Sequence, residues 1–338
     1  MSSERQLVTL EPILDVRPIA DADAIEAVVV RGWLVVTKKG DFAVGDRCVY
    51  FEIDSALPLA DPRFEFLGAR GTKTLGDGTQ VHVLKTARLR GTYSQGLVMP
   101  VMMFPELASA SADSDLAAII GVTKYEPVLP ASMNGFAIGD FPTVLARKTD
   151  AERAQNLVDV WPILVAAGPW IATEKLDGTS VTVINDGGLI RVCGRNWELA
   201  DGDNVYWEVV RAAAVDVHLQ PGEVVQAEIY GEGVQGNPLK VRGRHLGVFA
   251  FNSARRAVAL DAWPAWLAPL AVPVYPAMSL PATAEQAVAQ VDTLASMVNP
   301  SRNAEGIVWV RANGAAMPEL DGRNLFKVIS NRYLLKHG

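Results

Sequence analysis

The sequence contains few cysteines and no long apolar run. Cys48 and Cys193 are the only two cysteines among 338 residues, so a disulfide framework of the kind found in small secreted domains is not expected. No apolar stretch approaches the roughly 20 residues needed to cross a bilayer. The segment Met1–Pro12 also lacks the basic and then apolar order of a signal peptide. We therefore expect a cytoplasmic chain with no membrane partner.

Several common site patterns are missing as well. The four histidines, at positions 82, 218, 245 and 337, are scattered and lack the spacing of a zinc site. No GxxxxGK followed by Ser or Thr is present, and no GxGxxG follows a strand pattern, which excludes P-loop and Rossmann nucleotide sites. The serine and cysteine residues lie in no nucleophile-elbow context. Any chemistry of this chain must therefore depend on another arrangement.

The composition is that of an ordinary globular protein, with 49% hydrophobic and 20% charged residues. A chain of this length is sufficient for two domains. The net charge of −7 argues against a broad, non-specific nucleic-acid binder, although a local basic groove remains compatible with it.

The N-terminal part, residues 1–123, is predicted to be a small β-barrel of the OB type. Short β-branched and apolar runs are separated by turn signals. The first run contains Gly32, which we interpret as a bulge. The predicted strands are 27–36, 48–54, 81–90 and 96–99.

The second part, residues 124–338, is predicted to be an α+β domain because strand and helix patterns alternate along it. We expect a first helix at 149–158, with Thr149 as its N-cap. The other predicted helices are 203–215 and 284–296, and the predicted strands are 179–184, 189–193, 223–230, 246–251 and 306–311.

The most informative segment is Thr173–Ser180, where Lys175 is followed by Asp177 and Gly178 at a predicted strand–turn–strand junction. Gly178 would allow the backbone to pass close to a ligand. A buried lysine whose charge is disfavoured becomes an amine nucleophile, as attack on a nucleotide α-phosphate requires. Taken alone, however, the segment is better interpreted as a hairpin turn with a solvated lysine.

Five further segments change this interpretation. With the Lys175 segment, they resemble, in order, the motifs of the covalent nucleotidyltransferase superfamily of ligases and capping enzymes. The five segments are Val192–Asn196, Ala227–Gly231, Gly247–Asn252, Ala304–Val308 and Leu325–Ile329.

The narrower resemblance is to bacterial ATP-dependent nick-sealing RNA ligases with an N-terminal OB domain, called RNA ligase family 5. It is carried by RGWLVVTKKGDFAVGDRCVYFEIDSALP at 31–58, RKTDAERAQNL at 147–157 and KVISNRYLLK at 327–336. The resemblance implies an OB barrel followed by an ATP-grasp-like nucleotidyltransferase domain with mainly antiparallel sheets. It also implies ATP with Mn²⁺ or Mg²⁺, a monomer, and nicked duplexes with an RNA 3′-OH strand as substrate.

The resemblance assigns roles around the lysine. Lys175 attacks the ATP α-phosphate and carries AMP, and Glu174 contacts the adenine edge, unless it is an ordinary exposed strand residue. Asp177 and Gly178 shape the pocket. Glu228 binds the ribose hydroxyls, for which a carboxylate has enough acceptors; the alternative is a paired structural acid.

Three further residues are expected at the phosphates. Arg195 contacts a phosphate, Glu305 holds the divalent metal, and Lys327 stabilises the α-phosphate. The alternative for Arg195 is an ordinary surface arginine. The alternative for Glu305 is a residue of a plain edge strand without a metal. Many relatives carry a second lysine where this chain has Leu325. The candidates for a replacement cation are Arg323, Arg332 and Lys336.

Two aromatic residues are candidates for stacking on adenine. Phe249 and Phe251 should share one strand face, because side chains alternate with a period of two. We favour Phe251, since the aromatic residue of the family usually precedes an acid, although that position holds Asn252 here.

Other basic residues allow two interpretations. Lys148, Arg153 and Gln155 either line the ATP site or form a charged helix face, which we prefer. In the barrel, Arg88 and Arg90 are expected on one strand face. The basic residues of the barrel either contact phosphates or form a solvated face. They are Lys38, Lys39, Arg70, Lys73, Lys85, Arg88 and Arg90. Alternative functions are a DNA ligase, a guanylyltransferase of the same superfamily, or a non-catalytic nucleic-acid-binding protein.

Overall fold

The computed structural model describes residues 5–111, 114–126 and 135–337. Residues 1–4 lie outside the described residues. They belong to the segment Met1–Pro12, in which we found no signal-peptide pattern. No helix in the three described ranges has the length and apolar character needed to cross a membrane.

The N-terminal region is built from short antiparallel strands that curve around two apolar clusters. One cluster contains Phe51, Phe64 and Phe104, and the other contains Trp33 and Tyr50. A short helix, α1 (Leu116–Ile120), packs against this region. The strands are β1 (Val8–Pro12), β2 (Asp15–Pro18), β3 (Ile25–Val30), β4 (Trp33–Lys38), β5 (Arg47–Phe51), β6 (Ser55–Pro58), β7 (Lys73–Thr74), β8 (Gln80–Val83), β9 (Ala87–Leu89), β10 (Thr92–Ser94), β11 (Leu97–Pro100) and β12 (Thr123–Lys124).

Two strand predictions in this region are wrong in detail. Residues 27–36 form most of a hairpin, β3 and β4, in which Val30 pairs with Trp33, so Gly32 lies in the turn and not in a bulge. Residues 81–90 are divided between β8 and β9. Arg90 follows β9 with a φ of 47°, so Arg88 and Arg90 do not share a strand face.

The predicted boundary at residue 123 falls inside a strand. Thr123 pairs with Ala56, and the Tyr125 amide donates to the carbonyl of Asp54. Since these residues belong to the sheet of the barrel, we propose that the first domain extends through residue 125.

The C-terminal region is α+β with antiparallel sheets, as predicted. A seven-stranded sheet has the order β13-β17-β16-β15-β18-β19-β20, and a three-stranded sheet has the order β14-β21-β22. The strands are β13 (Ala137–Asp140), β14 (Trp170–Lys175), β15 (Thr179–Asp186), β16 (Leu189–Cys193), β17 (Trp197–Leu199), β18 (Glu223–Gly231), β19 (Arg244–Ser253), β20 (Arg256–Ala257), β21 (Gly306–Arg311) and β22 (Leu325–Ile329). The helices are α2 (Trp161–Ala166), α3 (Val205–Ala212), α4 (Val215–His218), α5 (Ala284–Val291) and α6 (Asn331–His337).

Capping side chains explain where the two longer helices begin. The Asn204 side chain accepts from the amides of Tyr206 and Trp207 at the start of α3. The Thr283 hydroxyl accepts from the Gln286 amide at the start of α5. Such caps satisfy backbone donors that have no partner inside the helix. Both helices are shorter than predicted.

The helix predicted at 149–158 is absent; a 3₁₀ turn, Ala154–Asn156, forms there, and a second one, Val158–Val160, begins at the last residue of that range. Backbone groups of this segment bond to other elements. The Gln155 carbonyl accepts from the Gly32 amide at 2.9 Å, and the Glu152 carbonyl accepts from the Lys327 amide at 2.8 Å. Arg153 and Gln155 are only 6% and 3% exposed, so the preferred interpretation, a charged helix face, is wrong.

The two regions are joined by a partly buried polar network. Arg5 bonds to Asp54 at 2.7 Å, and Arg153 bonds to the same carboxylate at 3.3 Å. The Trp33 indole donates to the Asn156 side chain at 2.6 Å. Burial alone would raise the pKa of Asp54, but Arg153 and Arg5 hold it below its usual value. The barrel is therefore fixed to the segment that borders Lys327.

We predict that Gly32→Ala weakens this junction. A Cβ at Gly32 would lie 2.8 Å from the Cα and carbonyl oxygen of Gln155, which are backbone atoms that cannot turn aside. Overpacking of this kind costs about 1–3 kcal/mol, measured as the free energy of unfolding in urea. Gly76→Ala is the matched control, because a Cβ there meets nothing within 4 Å. An equal effect of both variants would contradict the prediction.

Candidate functional site

The site is built where two paired strands end side by side. In the three-stranded sheet, Lys175 at the end of β14 pairs with Gly306 at the start of β21. Glu305 directly precedes Gly306, so its carboxylate reaches the same end. The Lys175 Nζ lies 2.8 Å from the Glu305 carboxylate. The register of this sheet therefore creates an ion pair between the two predicted residues.

Gly178 brings the seven-stranded sheet against this ion pair. A Cβ on Gly178 would lie 2.1 Å from the carbonyl oxygen of Ile229 and 3.1 Å from the Cγ of Glu228. Only glycine permits this approach between β15 and β18. The half-buried Glu228 is thereby placed beside Lys175, where the charges of the two side chains influence each other.

Lys327 completes the group from β22. It pairs with Val308, and Val308 pairs with Thr173, so these three side chains point to one face of the sheet. Lys175 lies two residues after Thr173 on the same face. The structure thus brings Lys175, Asp177, Glu228, Glu305 and Lys327 together, as the sequence predicted.

The charge of Lys175 differs from our expectation. Burial by itself would lower the pKa of its amine, but the carboxylates of Glu305 and Glu228 outweigh burial and raise it. Burial therefore does not by itself decide the charge of this amine, because its partners are acids that favour the charged form.

The pKa values of Lys327 and Glu228 are shifted in opposite directions. Burial, together with the positive charges of Arg153 and Lys175, lowers the pKa of Lys327 to about 7. Burial raises the pKa of Glu228 to about 8; Lys175 opposes this shift, and Glu305 adds to it. Such shifts are frequent at catalytic sites. An anion bound at Lys327 would restore its positive charge.

Tyr333 is a site residue that our sequence reasoning missed. Its hydroxyl donates to the Asp177 carboxylate at 2.7 Å, and the ring is 6% exposed. Its helix, α6, begins where the Asp292 carboxylate accepts from the amides of Asn331 and Arg332. The next residue, Leu334, packs against the Trp33 and Tyr50 cluster of the barrel. The segment KVISNRYLLK contains this tyrosine but shows no spacing that would have indicated the contact.

Glu174 is buried and not an exposed strand residue. It is 2% exposed, and its Oε2 accepts from the Met297 amide at 2.8 Å. Burial raises the pKa of this carboxyl. Its Oε1 has no hydrogen-bond partner among the residues described here. A buried acceptor without a donor is costly, so this oxygen is suited to a ligand N–H.

Phe249 and Phe251 do not share a face. The pairing of β18 with β19 shifts between Gln226 and Ala227, which leaves Phe249 as the extra residue of a β-bulge. Phe251 is 3% exposed and belongs to the main core of the large sheet. Phe249 is half-buried in a small cluster with Leu176. The preference for Phe251 is therefore wrong, and Phe249 is the candidate for stacking on a base.

Cations gather around Asp150 next to the site. Arg195 pairs with Asp150 at 2.8 Å. Burial would raise the pKa of Asp150, but Arg195 and further cations, including Lys327 and Arg323, lower it. Among the three candidates for a second phosphate cation, Arg323 is the one whose charge acts on Asp150 together with that of Lys327.

The carboxylates fit a hydrated divalent cation better than a fully ligated one. Within the described ranges, no group of three or more His, Cys, Asp or Glu side chains is arranged to hold a metal. Mg²⁺ keeps several waters and often uses only one or two carboxylates. Glu305, with both oxygens turned to Lys175, has the chemistry for such a site.

Comparison with known proteins identifies the family. A model of the RNA ligase family matches residues 168–329, and a model of an OB-fold domain matches residues 7–101. The structure of Naegleria gruberi RNA ligase with PPi is 37% identical, covers 99% of both chains and has a TM-score of 0.85. The chain belongs to the RNA ligase family.

Other structures of the same Naegleria gruberi RNA ligase agree. A variant with ATP and Mn is 36% identical, covers 98% of this chain and 99% of that chain, and has a TM-score of 0.85. A variant with AMP and Mn has the same identity and coverage and a TM-score of 0.86. No curated protein matches the chain. The predicted resemblance to RNA ligases with an N-terminal OB domain is confirmed.

We predict that Glu228→Gln changes how stability depends on pH. The folded-state pKa of Glu228 is raised from 4.5 to about 8, so its contribution is fully present below pH 4.5 and is lost as the pH rises to about 8. The variant cannot ionise here, so its free energy of unfolding, measured in urea, should fall less between pH 5 and pH 8. Glu232→Gln, an exposed residue after β18, serves as the control. Parallel curves for the Glu228 variant and the wild type would contradict the pKa shift.

We also predict that Tyr333→Phe slows the ATP-dependent reaction of this RNA ligase. A hydrogen bond to a charged group contributes about 1.5–3 kcal/mol, so the rate of ligation at saturating ATP should fall roughly ten-fold or more. The nucleotide concentration for half-maximal rate should change little, because Tyr333 acts through Asp177. Tyr93→Phe is the control, since the Tyr93 hydroxyl has no hydrogen bond within the described part of the chain. A raised half-saturation concentration at unchanged rate would indicate another role.

Proposed function

We propose that this RNA ligase uses ATP to seal 3′-OH/5′-phosphate nicks in duplex RNA or RNA–DNA hybrids. Lys175 takes AMP as a lysyl-AMP intermediate and then passes it to the 5′-phosphate. The main support is the placement of Lys175, 2.8 Å from Glu305, with Glu228, Asp177 and Lys327 around it. The structures of the Naegleria gruberi enzyme contain ATP, AMP or PPi.

The charges suit an in-line displacement at phosphorus. The Lys175 nitrogen forms a bond to the α-phosphorus while the bond to pyrophosphate breaks. Lys175 must first lose its proton to solvent water, and the acids around it oppose this loss. A divalent cation held by Glu305 would supply positive charge to the phosphate oxygens and compete with the ammonium group for this carboxylate. Lys327 becomes protonated beside the phosphate and stabilises the charge that develops there.

The base pocket favours adenine over guanine. The free Oε1 of Glu174 accepts from the exocyclic amine of adenine, whereas guanine has a carbonyl oxygen at the same ring position. Two acceptors would then face each other without a proton between them, which costs binding free energy. Phe249 stacks on the base, and Glu228 accepts from the ribose hydroxyls.

The barrel holds the duplex near the site. Its exposed cations Lys38, Lys39 and Lys73 can contact phosphates. Arg88 is less available, since its guanidinium lies 5.5 Å from the Tyr93 ring and its Nε donates to the carbonyl of Gly91.

We predict that Lys175→Ala abolishes labelling by α-labelled ATP. The wild type, incubated with Mn²⁺ or Mg²⁺, should retain an acid-stable, amine-linked label from ATP but not from GTP. The variant should show none, because no other amine lies in its place. Lys73→Ala, an exposed lysine of the barrel, should label like the wild type. A Lys175→Ala protein that still took up label would overturn the assignment.

The same assay distinguishes the other functions. Label from GTP alone would indicate a guanylyltransferase, and no label at all would indicate a nucleic-acid-binding protein. Sealing of nicked duplexes that differ only in an RNA or DNA 3′ strand then tests the substrate. More efficient sealing of the DNA 3′ strand would favour a DNA ligase.

A further inference from the structure

A cavity beside the site is lined by basic residues. Its volume is about 290 Å³, and its charged or titratable lining residues are Lys240, Arg302, Lys336 and His337. No Asp or Glu is among the described residues that line it. In a chain with a net charge of −7, two lysines and an arginine in one concavity form a local excess of positive charge.

This charge is not neutralised by the protein. In the part of the chain that the structure describes, Lys240, Arg302 and Lys336 form no ion pair, whereas Arg191 on the large sheet pairs with both Asp186 and Glu198. Burial lowers the pKa of His337, and nearby Lys336, Arg302 and Lys240 lower it further against the opposing effect of Asp177. The basic groups therefore repel one another, and an anion between them would relieve the repulsion.

The loop that carries Lys240 is held in a costly conformation. Gln235, Asn237 and Lys240 have φ values of 45°, 49° and 53°, a region that non-glycine residues seldom occupy. The Asn237 side chain bonds to both the amide and the carbonyl of Val241 at 3.1 and 2.8 Å. Backbone strain that the surrounding structure maintains is typical of binding sites. Lys240 is thus presented by a fixed loop.

The cavity is linked to the reacting residues through two rings. The His337 ring lies 4.5 Å from the Tyr333 ring, and the Tyr333 hydroxyl is 2.7 Å from Asp177. Asp177 follows Lys175 by two residues. A nucleic-acid strand whose end reaches Lys175 would therefore have part of its sugar–phosphate backbone within reach of the cavity.

We propose that this cavity binds a backbone phosphate of the nucleic-acid strand next to the ends that are joined. The proposal rests on the proposed function, because it places the strand relative to Lys175. A volume of about 290 Å³ has room for a phosphate and its sugar. Guanidinium and ammonium groups are the usual phosphate ligands of proteins.

The test uses a triple variant, Lys240→Gln, Arg302→Gln and Lys336→Gln. Binding of a nicked duplex is measured without ATP at several salt concentrations. For each duplex phosphate that the variant no longer neutralises, the slope of log K against log salt should shrink by about 0.9, or by about 0.7 for a single strand. The matched control removes the same charge from exposed arginines elsewhere, through Arg47→Gln, Arg255→Gln and Arg256→Gln.

A second measurement locates the phosphate. Uncharged methylphosphonate linkages are placed one at a time on either side of the nick. One position should weaken binding to the wild type and to the control variant but not to the triple variant. Labelling of Lys175 by ATP should stay within about two-fold of the wild type, since within the described residues no hydrogen bond or ion pair joins the three substituted side chains to Lys175 or Glu305.

Each outcome decides between alternatives. Equal slopes for the triple variant and the control, or a methylphosphonate effect that persists in the triple variant, would overturn the proposal. Loss of ATP labelling at unchanged duplex affinity would show that the cavity serves ATP phosphates. If the wild type bound the duplex as described but sealed no nick, the phosphate site would stand while the proposed function failed.

Discussion

The ion pair between Lys175 and Glu305 determines how the rest of the site is arranged. Both side chains lie at the same end of the sheet, and both are largely withdrawn from water. Removing one member of such a pair leaves the other as an uncompensated charge, which is strongly destabilising. The pair therefore holds the ends of β14 and β21 together and keeps the amine protonated. A ligand that combines phosphates with a metal cation has the charges needed to exchange these partners.

Much of this architecture could be predicted from local sequence patterns. β-branched runs closed by turn residues predicted β15, β16, β18, β19 and β21 closely, because each is a strand whose buried face shows directly in its residue types. The ordered motifs also grouped Glu228, Glu305 and Lys327 with Lys175. Strand register then converts these separate segments into one site, since a one-residue shift would turn a side chain to the opposite face.

The failures have a common physical origin in contacts between distant parts of the chain. Residues 149–158 bond to the barrel and to β22 instead of to their own helix. Phe251 turns into the core because a bulge, which depends on the partner strand, interrupts the alternation. The protonation of Lys175 depends on acids from other strands, and Tyr333 reaches Asp177 across 156 positions. None of these interactions leaves a periodic signal in the sequence.

Helix α6 has a consequence for motion between the two domains. Tyr333 and Leu334 are adjacent on one short helix, yet the first contacts the reacting loop and the second contacts the barrel core. A helix that moves as a rigid unit cannot displace one of these side chains without the other. If the barrel swings away to admit a bulky duplex, it must either release Leu334 or withdraw the tyrosine from Asp177. Such a swing would therefore link the position of the barrel to the Tyr333–Asp177 contact through one short helix.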